Sequence, residues 1–358
     1  MARMSTKIRI ERTAHPRPRP NENDLGFGRH FTDHMAIANY EEGKGWHDLR
    51  IVPYGPLALD PAAAVLHYGQ ELFEGMKAFR GDDGKIRLFR PEMNCRRMHK
   101  GAQRLCMPAL EPEVMEELVE KLIELDADWV PHAPGTALYI RPTLVATEPF
   151  LGVRPSKTYL FYVILSPVGA YFSSGLDPVK IWVEPKYVRA AKGGLGAIKA
   201  GANYAASLLA GEEAKARGYA QVLWLDAQEH RWFEEVGTMN LFVVIGDEII
   251  TAPLGGSILD GVTRDSVIQL LRDWKLNVVE RPVSIEEVAQ AYGRGELKEV
   301  FGTGTAAVIS PVKELAFRGE RYEVGGGKVG PISQRLYDTI TGIQAGRLPD
   351  PHGWVKTL

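Results

Sequence analysis

The 358-residue sequence has little cysteine, no strong excess of either charge and no long apolar segment. Its two cysteines, Cys95 and Cys106, are too few for a disulfide framework, so we expect reduced thiols. The formal net charge of −2 excludes the strong field that attracts nucleic acid or a membrane surface. No segment approaches the roughly 18 apolar residues that a transmembrane helix requires. We therefore expect a cytoplasmic protein without a nucleic-acid or membrane partner.

The amino-terminal segment also lacks the apolar core of a secretory signal. It is basic and is interrupted by Pro16, Pro18 and Pro20, which oppose a continuous amphipathic helix. The sequence predicts a surface arm over residues 1–20, and an organelle-targeting peptide is the alternative.

The chain is long enough for two domains, and 45% of its residues are hydrophobic, which suffices for two cores. A small, polar stretch bounded by glycine and proline, residues 171–178, is the candidate boundary. We predict a smaller amino-terminal domain over residues 1–171, a linker over 172–181 and a larger domain over 182–358. Predicted strands and helices alternate unevenly, which favours an α/β fold of the mixed α+β type over a regular doubly wound sheet.

Local patterns predict individual elements. The first 60 residues are rich in turn formers and read as irregular. Pro91 begins one predicted helix, on which Cys95 and Cys106 are expected to be packing residues. Pro112 begins a second helix, whose apolar residues Val114, Leu118, Leu122 and Leu125 recur at helical spacing.

The second half of the chain contains similar signals. They predict a helix over residues 204–217, a hairpin turn at Gly246 and a helix capped by Ser284 with Glu287.

One lysine, Lys199, stands in a run of small and apolar residues between Gly193 and Tyr204. A dry environment disfavours the ammonium form and makes an amine nucleophilic near neutral pH, as a Schiff-base lysine requires. A solvated loop is the alternative. A nucleotide-binding P-loop is excluded, because Ile198 precedes the lysine and Ala200 follows it where glycine and a hydroxyl residue are needed.

Two further segments are typical of phosphate-binding turns. Residues 257–264 lead into a predicted helix, where Gly261 and the amides of Val262 and Thr263 lie at the positive end. Residues 302–307 follow a strand and loosely match a dinucleotide fingerprint, but Pro311 comes too early for the required long helix. A turn that presents Thr305 to a phosphate is the better interpretation, and ordinary turns remain the alternative for both segments.

Several segments, in order, resemble the branched-chain aminotransferases, a family of fold-type IV pyridoxal-phosphate enzymes. The similarity extends from about residue 25 to residue 344. The segments that carry it are Glu71–Phe79, Leu138–Pro142, Lys199–Tyr204, Glu235–Asn240 and Phe301–Thr305.

The resemblance implies that pyridoxal 5'-phosphate is the cofactor and that Lys199 is the catalytic residue, both as its Schiff base and as the proton shuttle. It further implies that Glu235 pairs with the pyridine nitrogen and that Tyr204 bonds the phenolate oxygen. A buried carboxylate would be costly without such a partner. A solvated turn is the alternative for the segment that carries Glu235. The remaining implied cofactor contacts are Arg97, Thr238, Leu259, Gly261, Val262, Thr263 and Thr305.

The resemblance also implies a substrate pocket and a homodimer. The reaction would exchange the amino group between L-leucine, L-isoleucine or L-valine and 2-oxoglutarate. Arg141 and the tyrosine hydroxyls would receive the second carboxylate of glutamate. A structural ion pair is the alternative for Arg141. The implied pocket residues are Tyr68, Phe73, Tyr139, Arg141, Val153 of the partner subunit, Tyr171, Thr238 and Ala306.

Three alternatives remain. A D-amino acid aminotransferase or aminodeoxychorismate lyase is disfavoured by the length of the chain, and a nucleotide-binding protein by the missing hydroxyl beside Lys199. A non-catalytic cofactor-binding or regulatory protein would not require Lys199, Glu235 and Tyr204 together.

Overall fold

The computed structural model describes residues 7–169 and 176–358. These residues divide into two compact units, and each unit contains its own β-sheet. Of the described residues, unit 1 contains 7–169, 199–201 and 342–358, and unit 2 contains 176–198 and 202–341. Strands and helices mix irregularly in both units, which confirms the mixed α+β class.

The sheet of unit 1 has the strand order β1-β3-β2-β8-β7-β5-β6-β18, and β4 pairs with β7. Its strands are β1 (Arg9–Ile10), β2 (His34–Glu41), β3 (Gly45–Pro53), β4 (Glu71–Phe73), β5 (Met76–Arg80), β6 (Ile86–Phe89), β7 (Ala137–Ala146), β8 (Thr158–Val168) and β18 (Val355–Thr357).

The sequence reading of the first 60 residues as irregular was wrong, because β2 and β3 form an antiparallel hairpin there. Strand β2 lies between β3 and β8, and its first five residues are all buried. A strand covered on both faces loses the alternation of apolar and polar residues that identifies a strand in sequence.

The helices of unit 1 are α1 (Ala64–Tyr68), α2 (Pro91–Arg104) and α3 (Pro112–Leu125). Proline opens α2 and α3, as predicted, because a first-turn residue needs no hydrogen-bonded N–H. Of the predicted apolar positions of α3, Leu118 and Leu122 are fully buried, whereas Val114 and Leu125 are half-buried. Cys95 is buried in α2, whereas Cys106 is exposed after it and is not the packing residue that the sequence suggested.

The sheet of unit 2 has the order β11-β10-β9-β16-β15-β12-β13-β14, with β17 paired to β16. Strand β11 also pairs with β12, so that six strands close into a ring. The strands are β9 (Val179–Val183), β10 (Gln221–Leu225), β11 (Phe233–Val236), β12 (Met239–Ile245), β13 (Glu248–Thr251), β14 (Asn277–Glu280), β15 (Leu297–Gly304), β16 (Val308–Phe317) and β17 (Glu320–Glu323).

One helix after residue 200 is interrupted at a position that the sequence did not predict. A single helix was expected over 204–217, but Ser207 bonds the carbonyl of Tyr204 through both its hydroxyl and its N–H. This local bonding competes with the regular helical pattern. The Ser284 cap is confirmed, since its hydroxyl accepts from the Glu287 N–H. The helices are α4 (Gly201–Ala205), α5 (Leu208–Ala216), α6 (Val262–Asp273), α7 (Ile285–Gly293) and α8 (Pro331–Gln344).

The two units differ from the predicted domains at three places. Residues 199–201 belong to unit 1, where Ala200 bridges Leu72 of β4. The carboxyl-terminal residues also join unit 1, because β18 pairs with β6. The predicted linker overlaps β9, which begins at Val179, and its residues up to 175 lie outside the described ranges.

The described part of the amino-terminal arm lies against unit 1. Strand β1 pairs with β3, and Arg17 donates its N–H to Asp33 at 2.7 Å. The Arg19 guanidinium lies 3.1 Å from Asp33 and 4.0 Å from the Trp129 ring centroid. The arm is therefore held by a buried carboxylate. No helix within the described ranges is long and apolar enough to cross a membrane.

Candidate active site

Lys199 is held in unit 1 by the backbone of β4. The carbonyl of Lys199 accepts from the Phe73 N–H at 3.1 Å, and its ammonium lies 4.6 Å from the Phe73 ring centroid. Desolvation lowers the pKa of Lys199 to about 8, although the negative charge of Glu74 opposes this effect. The residue as a whole keeps some exposed surface, and its amine is desolvated. These are the properties that a nucleophilic lysine needs.

Arg97, predicted as a phosphate ligand, is positioned by a carboxylate that the sequence analysis did not single out. Its Nε and Nη2 donate to the two oxygens of Glu74 at 2.7 and 2.8 Å. Glu74 is 1% exposed and also accepts from Asn94 Nδ2 at 2.9 Å. Burial raises the pKa of Glu74, but Arg97 outweighs this and holds it below its usual range. This bidentate ion pair fixes the plane of the Arg97 guanidinium.

Phe73, Tyr139 and Arg141 form a cluster with Lys199. The Arg141 guanidinium lies 4.5 Å from the Phe73 ring centroid, and its Nη2 donates to the Tyr139 hydroxyl at 3.0 Å. A side chain at Gly75 would place Cβ 2.1 Å from that hydroxyl, so glycine is required there. The structure therefore brings four predicted site residues of unit 1 together.

Arg141 has no carboxylate within ion-pair distance among the described residues. Its Nε is buried and, within the same residues, has no hydrogen-bond partner. A structural ion pair, the alternative for this residue, is not present in the described part of the chain. A half-buried guanidinium in this state is suited to an anionic ligand.

Two other predicted pocket residues of unit 1 lie outside this cluster. The Tyr68 hydroxyl, at the end of α1, donates to the carbonyl of Leu151. Val153 lies between β7 and β8 and is 88% exposed. Tyr171 lies outside the described residues.

Glu235 of unit 2 is a buried carboxylate with polar partners at both oxygens. It is 2% exposed, and its Oε1 accepts from Asn240 Nδ2 at 3.1 Å and from the Leu259 N–H at 3.0 Å. Its Oε2 lies 2.7 Å from Arg189 Nε, and the Arg189 side chain is only 6% exposed. Arg189 and Asn240 were not predicted from the sequence. The arrangement holds one carboxylate rigidly, at a cost that the guanidinium offsets.

The amino end of α6 suits a phosphate. Gly261 is the residue before the helix, no side chain of the described residues caps it, and Val262 and Thr263 form the first turn. A Cβ on Gly261 would lie 1.9 Å from Asn240 Oδ1, so only glycine fits beside that side chain. Uncapped N–H groups at the positive end of a helix favour an anion.

The remaining predicted residues of unit 2 lie at turns and in α4. Thr238 is exposed in the turn between β11 and β12, whereas Thr305 and Ala306 are half-buried in the turn between β15 and β16. Tyr204 is half-buried in α4. Thr238 and Thr305 thus lie in turns, where binding residues are common.

Comparison with known proteins identifies the class. The Amino-transferase class IV profile matches residues 71–315. The chain belongs to the class IV aminotransferase family, whose cofactor is pyridoxal 5'-phosphate.

Within that family, the chain groups with the branched-chain-amino-acid aminotransferases. It is 53% identical to branched-chain-amino-acid aminotransferase 2 of Bacillus subtilis, and the alignment covers 98% of this chain and 97% of that protein. The structure also resembles the Escherichia coli branched-chain amino acid aminotransferase, with TM-score 0.74 and 28% identity over 90% of this chain and 99% of that one. The Thermobaculum terrenum branched-chain amino acid aminotransferase in its PLP-form gives TM-score 0.73 and 25% identity, covering 90% and 97%.

Proposed function

We propose that this enzyme transfers the amino group between L-leucine, L-isoleucine or L-valine and 2-oxoglutarate, with Lys199 as the lysine that binds pyridoxal 5'-phosphate. The observation that carries the assignment of Lys199 is its desolvated amine, held against Phe73 beside Arg141. Similarity to branched-chain-amino-acid aminotransferases over nearly the full length supports the substrate class.

The Lys199 amine moves the proton in this proposal. When bound, pyridoxal 5'-phosphate supplies an electron sink that makes the α-carbon of the substrate acidic. With a pKa of about 8, the Lys199 amine is partly neutral at physiological pH, so its Nζ accepts a proton and later returns it. Ping-pong kinetics are expected, because the same site would receive the amino acid and the 2-oxo acid in turn.

The other polar groups bind and orient the cofactor. Glu235 is oriented by Arg189 and Asn240 and would hold a proton at the pyridine nitrogen. Arg97, oriented by Glu74, would contact the phosphate. Tyr204 would contact the phenolate oxygen, and Leu259 would pack against the ring. The other proposed cofactor residues are Gly261, Val262, Thr263 and Thr305 at the phosphate and Thr238 beside the cofactor.

One pocket would accept both an apolar and an acidic side chain. Phe73 and Tyr139 offer apolar ring surface to leucine, isoleucine or valine. Arg141, which lacks a protein carboxylate partner in the described residues, would bind the second carboxylate of glutamate or 2-oxoglutarate. Tyr68, Tyr171, Thr238 and Ala306 complete the proposed pocket, together with Val153 of the partner subunit.

We further propose a cytoplasmic homodimer. Five large apolar side chains are exposed on α1 and on the loop between β7 and β8, and an exposed apolar cluster of this kind favours burial against another chain. These residues are Leu66, Tyr68, Phe150, Leu151 and Val153. Size-exclusion chromatography with light scattering tests this, and a monomer at micromolar concentration would contradict it.

The decisive experiment replaces Lys199 by alanine and measures transamination of an amino-acid panel with 2-oxoglutarate. We expect the variant to lose activity and the visible absorption of the bound cofactor. Lys192→Ala is the control, because Lys192 is exposed in the same glycine-rich segment. Wild-type preference for D-alanine over L-leucine would instead favour a D-amino acid aminotransferase.

A further inference from the structure

Glu71 is a half-buried acid that has no part in the chemistry proposed above. It begins β4, where it lies opposite Val145 of β7, while Phe73 lies opposite Thr143. Side chains alternate along a strand, so Arg141, Thr143 and Val145 project from one face of β7. Glu71 and Phe73 therefore share the sheet face of Arg141.

The Glu71 carboxylate packs against the segment that carries Lys199. A Cβ on Gly201, two residues after Lys199, would lie 1.7 Å from Glu71 Oε1. Only a glycine leaves room for the carboxylate at that position. Both residues belong to unit 1, so this contact lies within one compact body.

The carboxylate acts on Arg141 without binding it. Desolvation raises the pKa of Glu71, and the positive charge of Arg141 opposes this rise. Yet no guanidinium or ammonium nitrogen among the described residues lies within 4.0 Å of Glu71, so it does not occupy the donors of Arg141. Its charge also contributes to the raised pKa of Tyr162 on β8, after the larger effect of desolvation.

A negative charge near the Arg141 guanidinium affects charged and uncharged substrates differently. It lowers the positive potential that a second carboxylate meets, but it costs an uncharged side chain little. A residue that merely held Arg141 in place would instead be hydrogen-bonded to it. The effect of Glu71 should therefore fall on dicarboxylic substrates.

We propose that Glu71 is a specificity-determining residue whose charge weakens the binding of a second carboxylate at Arg141 and thereby favours branched apolar side chains. This inference rests on the proposed function, in which Arg141 receives that carboxylate. Glu71 does not contact the reacting atoms in this account and acts through the field at Arg141.

The test is Glu71→Gln in the holoenzyme, with KM and kcat measured separately for 2-oxoglutarate and for the 2-oxo acid of leucine. We expect the KM for 2-oxoglutarate to fall about three- to tenfold, while the KM for the apolar substrate stays within about twofold. Glu71→Asp, which keeps the charge, should resemble the wild type. Glu117→Gln is the matched control, because Glu117 is half-buried on α3 in the same unit.

The pH dependence separates this electrostatic effect from a structural one. As the pH rises from the acidic range, the wild-type KM for 2-oxoglutarate should rise as Glu71, whose pKa is raised by desolvation, becomes charged. Glu71→Gln should lose that rise. Of the neighbouring groups, Tyr162 stays neutral because its pKa is also raised, and Lys199, with a pKa of about 8, titrates at higher pH. Arg141 is the cation whose charge acts on Glu71.

The outcomes distinguish the two proposals. Wild-type enzyme that does not transaminate leucine with 2-oxoglutarate contradicts the proposed function. Active wild-type enzyme whose substrate ratio and pH profile are unchanged by Glu71→Gln overturns the inference. An equal loss for both substrates also overturns it, because Glu71 would then be a structural residue.

Discussion

Arg189 and Glu235 form a buried ion pair, with Arg189 Nε 2.7 Å from Glu235 Oε2 and both side chains at most 6% exposed. Arg189 also donates to the carbonyl of Ser257 at 3.0 Å. One guanidinium thus joins the strand that carries Glu235 to the loop that precedes α6. Because both charges are removed from water, each needs the opposite charge of the other to offset the free-energy cost of its burial.

Arg189→Met should therefore lower the free energy of unfolding by about 3–5 kcal/mol, since it leaves the Glu235 carboxylate buried without its cation. Urea unfolding of the apoenzyme measures this change. The control is Arg231→Met, which removes an exposed pair with Glu286 and should cost no more than about 1 kcal/mol. Equal losses of unfolding free energy in the two variants would show that the buried pair stabilises the protein no more than the exposed pair does.

Gly261→Ala should weaken cofactor binding. The new Cβ would lie 1.9 Å from Asn240 Oδ1 and would displace the amide that donates to Glu235. We expect the Kd of pyridoxal 5'-phosphate to rise at least about tenfold, equivalent to about 1.4 kcal/mol, in an absorbance titration. Gly211→Ala in α5 is the control, because its Cβ meets open space and a helix favours alanine over glycine. Unchanged affinity in Gly261→Ala would refute the predicted displacement.

Two lysines of unit 1 should titrate near pH 8. Burial lowers the pKa of Lys77 and of Lys199 to about 8, so each amine becomes neutral well below the usual lysine range. Peptide-level mass spectrometry of apoenzyme, labelled with an amine reagent at increasing pH, should give midpoints near 8 for both residues. Pyridoxal 5'-phosphate should then protect Lys199 and leave Lys77 reactive. Protection of Lys77 alone would contradict the assignment of Lys199.

Asp33→Asn should release the amino-terminal arm. Burial raises the pKa of Asp33, but bonds from Arg17, Trp129 and Arg19 outweigh this and hold it below the ordinary value of 3.8. A lowered folded pKa contributes stability above that ordinary value, which is lost as the pH falls through the folded pKa. Hydrogen exchange at the Arg17 N–H should show constant protection from pH 7 to 5 in the wild type and weaker protection in the variant, whose neutral amide no longer pairs with the Arg19 guanidinium. Loss of wild-type protection between pH 7 and 5 would identify another titrating group.

Local sequence signals predicted many individual elements. Proline at Pro91 and Pro112, the Ser284 cap and the turn at Gly246 each depend on a few neighbouring residues. The resemblance also named Lys199, which the structure places as a desolvated amine. Such features can be predicted because their physical causes lie within a few residues of chain.

The partners of the site residues could not be predicted in this way. Glu74 holds Arg97 from 23 residues away, and Arg189 holds Glu235 from 46 residues away in sequence. The pairing of β2 with β8 and the return of β18 to β6 likewise join distant segments. A sequence pattern contains no distance between such residues, so their pairing depends on the packing of the whole unit.

The amino-acid sequence alone determined the class of chemistry, because a lysine among small residues and an ordered set of motifs specify a cofactor enzyme whatever the details of packing. Only the tertiary structure decided which charges are paired and which are not. It neutralises Arg97 with Glu74 and leaves Arg141 without a carboxylate partner in the described residues, since burial makes each ion pair depend on ångström-scale geometry.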